Sequence, residues 1–470
     1  MTAKRRLLGF ACLVAIYIIT QTLIPRPAIV TPAGWRLFGI FAATIVGLML
    51  QPLPGGALVL TAVTLAAMFG GLTVEQALAG WADSSVWLVL AAYLIARALI
   101  KTGLARRIAL GFVRAFGKSS LGVAYSLAFS DMVLAAAIPS NGARSGGVIL
   151  PIMRSIAELY ESHPGETAAL LGTFLTTSVY QSICVTTAMF FTGQASNPLA
   201  AAIALKTFHY NITWTSWLVA GSLPGLCSIA VIPWLVMKLS PPKIRRTPEA
   251  ASFASRELAA MGPMRWPEWA TTGVFIAVCS LWITSKSTHL DIGLTALMGA
   301  CALLLVGVID WEDVKNERAA WDLFVWYGGL LRLGKALGEA NVTTAFAQNV
   351  GSHFGGAGWV ALFGGALLIY FYAHYGFASI TAHLLAMFAP FATVLLAKGA
   401  PIGLVMYSFA IFANFSAGLT HYGTTPSPMF YAADYVPFGK WWGIGLLMSF
   451  VNLLIWTTVG FAWWKFLGIW

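Results

Sequence analysis

Charge is scarce in this 470-residue chain: 10 % of its residues are Asp, Glu, Lys or Arg, where soluble domains carry about 25 %. With 59 % hydrophobic residues beside it, that scarcity excludes a water-soluble fold. Cysteine is scarce too. Cys12, Cys184, Cys227, Cys279 and Cys301 show no CxxC spacing and each lies in an apolar stretch, so neither a disulfide framework nor a thiolate metal site is indicated. HExxH is absent. An enzyme, a cofactor and a bound metal are therefore not expected. The apolar stretches do not alternate in segments of about 10 residues, which excludes an outer-membrane barrel.

What the chain does have is long uncharged runs. Residues 7–24, 37–50 and 446–464 carry no charge, and with their flanks each reaches membrane-spanning length. A spanning segment must satisfy its own backbone, which leaves helices. The expected fold is an all-α polytopic membrane protein with about 11 transmembrane helices plus two re-entrant helical hairpins, counted against spans of about 20 residues. The net charge of +11 collects in alternate loops: Lys4, Arg5 and Arg6; Lys101, Arg106, Arg107, Arg114 and Lys118; Lys238, Lys243, Arg245, Arg246, Arg256 and Arg265. That is a positive-inside pattern, so the charge reads as topology and not as nucleic-acid binding. It predicts a multi-pass protein of the inner membrane with a cytoplasmic N-terminus, in contact with the lipid bilayer. Residues 1–24 have a basic start and an apolar run, but no small-x-small cleavage site follows, so they read as a retained first helix.

Internal repetition organises the rest. Asp83, Val86, Trp87, Ser140, Ala143 and Pro151 each recur 239 residues later as Asp322, Val325, Trp326, Ser379, Ala382 and Pro390. A further pair, Thr192-Gly193-x-x-x-x-Pro198 against Tyr422-Gly423-x-x-x-x-Pro428, repeats at 230. The expected division is an N-terminal helix (1–34), a first repeat (35–239, with a hairpin at 119–160 and a broken helix at 167–205), a cytoplasmic linker (240–267) and a second repeat (268–470, with a hairpin at 359–396 and a broken helix at 401–434). An odd number of helices between the hairpin tips makes the two halves inverted. Inverted repeats with discontinuous helices are the architecture of secondary transporters, whose sites form near mid-membrane.

At each tip a half-helix begins after a Ser, an N-cap residue type, and its unpaired amides form an anion seat. Two seats facing each other suit a ligand with two separated carboxylates. Ser140, Asn141, Gly142, Ser379 and Thr381 are the candidate contacts, with Asn197, Thr424 and Thr425 beside them where the crossing helices unwind. Four residues after each Ser stands a base, Arg144 or His383. A charge at membrane depth is costly unless it faces a cavity or a partner, so these two are the candidate charge-compensating groups. Asp131, in the other arm of the first hairpin, is the alternative partner for Arg144.

The segments IPSNGARSGGVILPIMRSIAELY at 138–160, TGQASNPLA at 192–200, HYGFASITAHLLAMFAP at 374–390 and HYGTTPSP at 421–428 resemble the divalent anion/sodium symporter family. Within it they resemble the branch of citrate/succinate, tartrate/succinate and plastid-type 2-oxoglutarate/malate translocators. The likeness covers essentially the whole chain. It implies an elevator-like motion, a homodimer, and Ser-Asn-Thr signatures at both tips that contact substrate carboxylates and help hold sodium. This chain keeps neither signature intact: it has Ser140-Asn141-Gly142 and Ser379-Ile380-Thr381, so an amide oxygen that a hard cation would use is lost at the second tip. The combined expectation is sodium-independent exchange of di- and tricarboxylates such as malate, succinate, 2-oxoglutarate, citrate or tartrate, with a sodium-coupled dicarboxylate symporter as the alternative.

Overall fold

The structure, a computed structural model, describes residues 3–346 and 358–470. Among the described residues it is helical throughout, its only β-pairing an isolated bridge between Ser119 and Arg246. Seven of the described helices are long and apolar enough to cross a membrane, and the chain is a multi-pass membrane protein.

The first helices are α1 (Ala3–Thr22), α2 (Pro32–Leu50), α3 (Gly55–Phe69) and α4 (Ser84–Lys101). Their starts follow local chemistry. Thr31 caps α2 by accepting the Gly34 amide, with Pro32 supplying a pre-set φ at the first position, and Asp83 caps α4 through the Ser85 amide at 3.0 Å. The basic stretch after α4, expected as a loop, is instead α5 (Leu104–Phe116). It is amphipathic: Leu104, Ala105, Ala109, Leu110 and Val113 are buried, while Arg106 pairs with Glu257 and Arg107 with Glu268, each at 2.6 Å. At 13 residues it is about 20 Å long, too short to span an apolar layer of about 30 Å.

The first helical hairpin follows. Its arms are α6 (Ser120–Ala135) and α7, which runs over 141–159 through a π-turn at Ser145–Ile149. The break falls at residues 136–140, where Pro139 removes a backbone donor. Next come α8 (Gly172–Met189), an irregular segment, α9 (Ser196–Phe208) and α10 (Trp214–Leu239). The linker expected at 240–267 contains a helix, α11 (Pro248–Met261), packed on α5.

The second half has α12 (Trp266–Ile283), α13 (Ile292–Leu305) and α14 (Arg318–Glu339), then a hairpin of α15 (Trp359–Tyr372) and α16 (Ile380–Ala397). Helix α17 (Ile402–Phe415) follows, then a second irregular segment, the short α18 (Pro426–Ala432) and α19 (Phe438–Ile455). Every residue of α8 is buried, as is α17 from Gly403 onward, so these two helices form the centre of the molecule. Polar bonds across the halves tie α8 to the irregular segment that follows α17: Tyr180 donates to the Ala417 carbonyl at 2.8 Å, and the Gln181 amide donates to the Gly418 carbonyl at 2.9 Å. Away from water such interhelical bonds and close packing replace the hydrophobic effect as the adhesive.

Candidate functional site

Each hairpin break ends in the same local structure. Ser140 is extended (φ −134°, ψ 103°) and its hydroxyl accepts the Ala143 amide at 3.1 Å. Ser379 is extended (φ −149°, ψ 128°) and accepts the Ala382 amide at 3.4 Å. These are N-caps, and they leave the next amides unpaired at the positive ends of α7 and α16. The two ends meet in one cavity of about 300 Å³, whose lining includes Ser140, Asn141, Ser379, Ile380, Thr381, Thr424 and Thr425. That volume is at the small end of the ~300–1,000 Å³ usual for ligand pockets. A cavity of about 620 Å³ lies beside α5 and α12, but its walls are apolar apart from Arg107 and Thr272, and Arg107 is already paired with Glu268.

The halves are sewn together at the first tip. The Asn141 side-chain amide donates to Gln194 Oε1 at 2.8 Å and to Thr424 Oγ1 at 2.9 Å. Gly142 is beside the cavity and not among its lining residues; a Cβ there would stand 2.6 Å from Thr425 Cγ2. Only glycine lets the tip approach that closely.

Three expected residues lie elsewhere. Arg144 is fully buried behind the first tip. Its guanidinium donates to Asp131 Oδ1 (2.9 Å), to the carbonyls of Ile138 and Gly193 (both 2.7 Å) and to Thr187 Oγ1 (3.2 Å). The same Asp131 accepts from Thr186. The charge expected to face the substrate is thus matched inside its own hairpin. His383 is likewise buried, its Nε2 donating to the Tyr370 carbonyl at 2.8 Å and its ring packed among Tyr370, His374 and Phe377. One turn into each half-helix, the side chain lies on the flank facing the other arm of the hairpin and not on the cavity side. Asn197, in the first turn of α9, stitches that helix to the end of α8 and to α17: its amide donates to the Thr187 and Phe190 carbonyls, both at 2.9 Å, and its oxygen accepts from Asn414.

Several lining residues were not singled out from the sequence. Gln194 had a usable signal, since it stands at the repeat position of Thr424 and both accept from Asn141. Gln51, Tyr93, Asp322 and Trp326 complete the wall from α2, α4 and α14. Asp322 is exposed and takes no ion-pair partner among the described residues. His374 also mirrors Arg144: its Nε2 donates to the carbonyl of Gly423 at 2.9 Å, the repeat position of Gly193.

Known proteins resemble this chain along nearly its whole length. Residues 4–470 match the family described as sodium:sulfate symporter, transmembrane region. A putative malate transporter of Bacillus subtilis, YflS, is 42 % identical over 448 residues, 95 % of this chain and 94 % of that protein. Dicarboxylate transporter 1 of Arabidopsis thaliana chloroplasts is 41 % identical over 450 residues, 95 % of this chain and 81 % of that protein. The inner membrane protein YbhI of Escherichia coli is 33 % identical over 456 residues, 95 % of both chains. The solved structure of Neisseria gonorrhoeae MtrF is similar in fold alone, with a TM-score of 0.56 at 13 % identity, over 96 % of this chain and 97 % of that one. By family and by its relatives, this chain is a transporter and not an enzyme, and it belongs to the divalent anion/sodium symporter family.

Proposed function

We propose that the chain exchanges dicarboxylates such as malate, succinate or 2-oxoglutarate across the inner membrane, by antiport that does not use sodium. The observation that carries this reading is the cavity shared by two Ser-capped helix ends, a pair of anion seats opening into one small-molecule-sized space. Ser140, Asn141, Ser379, Thr381, Thr424 and Thr425 bind the two carboxylates, with Gly142 admitting the tip to Thr425. The names of the malate and dicarboxylate transporters among its relatives support the same substrate class.

Sodium independence rests on which oxygens are already in use. A hard cation needs several oxygen ligands. Beside the first tip, the Ile138 and Gly193 carbonyls accept from Arg144; beside the second, Gly423 accepts from His374, and Ile380 offers an apolar side chain. Obligate exchange rests on the helix ends. Arg144 is balanced by Asp131, so the positive potential left at the cavity belongs to two sets of unpaired amides. An empty site carries that potential through a low-dielectric layer with one wall carboxylate, Asp322, set against it, whereas a bound dianion sits directly on the two helix ends. The hairpins are re-entrant and inverted, and the core bearing them moves elevator-fashion against α1–α4 and α12–α14, in a homodimer with cytoplasmic N-termini.

Purified protein in vesicles tests this. Labelled malate enters vesicles loaded with unlabelled dicarboxylate, at the same rate in sodium as in potassium, and stays out of empty vesicles. Sodium-dependent uptake into empty vesicles overturns the proposal and identifies a symporter.

A further inference from the structure

An acidic side chain in the wall of an anion site needs a reason. Asp322 lines the cavity from α14, is exposed, and has no ion-pair partner among the described residues. One of its carboxylate oxygens lies against the first turn of α3: a Cβ on Gly56 would stand 2.5 Å from Asp322 Oδ1. The residue preceding that turn is Pro54, which supplies no side-chain cap. The carboxylate is therefore packed against the N-terminal turn of α3, beside the positive end of that helix. Nothing about this position serves to attract a dianion.

We propose that Asp322 sets specificity by charge, rejecting ligands that carry a third carboxylate. This deepens the dicarboxylate reading and rests on it. Once the two terminal carboxylates sit on the ends of α7 and α16, a substituent on the carbon chain between them faces the rest of the wall, which Asp322 shares with Gln51, Tyr93 and Trp326. A neutral hydroxyl or keto group finds hydrogen-bond donors there. A carboxylate meets a like charge in a confined site, where such juxtaposition is strongly unfavourable. A cationic substituent at the same position is favoured. The chain thus transports dicarboxylates and discriminates against citrate-like acids, narrowing the substrate range expected from the sequence.

The test uses three ligands with one five-carbon skeleton: glutarate, tricarballylate (a central carboxylate added) and 3-aminoglutarate (a central ammonium added). Each competes against labelled malate exchange in vesicles at about pH 8, where all the carboxyls are ionised. In the wild type, tricarballylate competes worst and 3-aminoglutarate best. Asp322→Asn keeps the size of the side chain and removes its charge. It improves tricarballylate relative to glutarate by about tenfold or more and worsens 3-aminoglutarate relative to glutarate, the opposite signs expected of a lost like charge. Asp322→Glu keeps the wild-type order. If turnover is lost in Asp322→Asn, thermal shifts of the detergent-solubilised protein with the same three ligands read the same ratios, with Asp322→Ser as a second neutral variant. An unchanged ratio in the neutral variants overturns the proposal, as does an equal gain for both substituted ligands, the mark of a merely loosened site. Loss of all three ligands assigns Asp322 to the fold and overturns it too. Absence of malate exchange in the wild type refutes the dicarboxylate reading itself and is seen before any variant is made.

Discussion

Gly142 is where the first hairpin tip leans on the other half of the molecule, and adding one methyl group there measures how closely the site is built. In Gly142→Ala the new Cβ falls 2.6 Å from Thr425 Cγ2 and 3.1 Å from Thr425 Cβ. Real Cβ atoms do not come within 3.0 Å of such neighbours, and Thr425 is branched at Cβ, with few rotamers to retreat into. Either the tip or the segment carrying Thr424 and Thr425 must move. Overpacking of this kind costs about 1–3 kcal/mol, and at about 1.4 kcal/mol per tenfold the middle of that range is roughly a thirtyfold loss of apparent affinity. The clash is specific, so its relief is specific. Thr425→Ser deletes Cγ2, leaving Thr425 Cβ at 3.1 Å as the nearest contact, which a shift of a few tenths of an ångström absorbs. Gly142→Ala is therefore expected to raise the half-saturating malate concentration in exchange assays by more than tenfold, and Gly142→Ala/Thr425→Ser to recover most of it, compared with Thr425→Ser alone. Wild-type behaviour in Gly142→Ala, or losses that simply add in the double variant, would refute the idea that the tip and Thr425 close over one ligand.

Two further outcomes concern groups outside the cavity. Arg144→Met leaves Asp131 buried without its partner, and breaking one side of such a pair costs about 3–5 kcal/mol; a large drop in melting temperature is expected, mostly restored in Arg144→Met/Asp131→Leu, and equal melting of single and double variants would show that the pair is not the source. Asp313, in the short helical turn Trp311–Asn316 before α14, has its carboxyl pushed up by burial but pulled down further by hydrogen bonds from Lys101, the Asp310 amide and Arg97, for a net lowering. Its folded pKa is thus below the unfolded one, so it stabilises the protein above the ordinary carboxylate range and that stability is lost as pH falls through the folded value. Asp313→Asn should lower the melting temperature at neutral pH and flatten the decline below about pH 4; parallel wild-type and variant curves would count against it.

The hairpin breaks could be read from sequence because each needs something conspicuous: an apolar stretch interrupted at Pro139 and Ser140, or around Ala378 to Thr381, with Ser140 and Ser379 at the common repeat spacing. The convergence of Ser140, Asn141, Ser379, Thr381, Thr424 and Thr425 follows from those breaks, since backbone opened within a membrane must line a cavity or be buried in protein. Helices α5 and α11 were missed because charges every few residues read as loop, and their apolar faces show only once they are packed against each other and against the neighbouring helices. Where Arg144, His383 and Asn197 point could not be read either. Their spacing fixes a position along a helix, but which flank meets the other arm is set by packing between segments far apart in the chain. The wall from α2, α4 and α14 carries no motif at all; Asp322 was visible only as a marker of the repeat.

The repeat itself carries a lesson about matching positions. Arg144 and His383 occupy equivalent places, yet they do not do the same work. A guanidinium has five donors in a planar fork, and Arg144 uses them to reach Asp131 and two carbonyls, Ile138 and Gly193, at once. An imidazole has at most one donor at each ring nitrogen. The second half accordingly spreads that role over two residues. His383 takes the Tyr370 carbonyl within its hairpin, and His374 takes the Gly423 carbonyl across to the irregular segment. The first half places a full charge with its counter-charge behind the tip, while the second places two imidazoles with no carboxylate ion-paired to either among the described residues. Two seats built alike at the backbone are thus backed by different electrostatics. On the proposed reading of the site, a substrate whose two ends differ would be held in a preferred orientation even though Ser140 and Ser379 present it with the same cap.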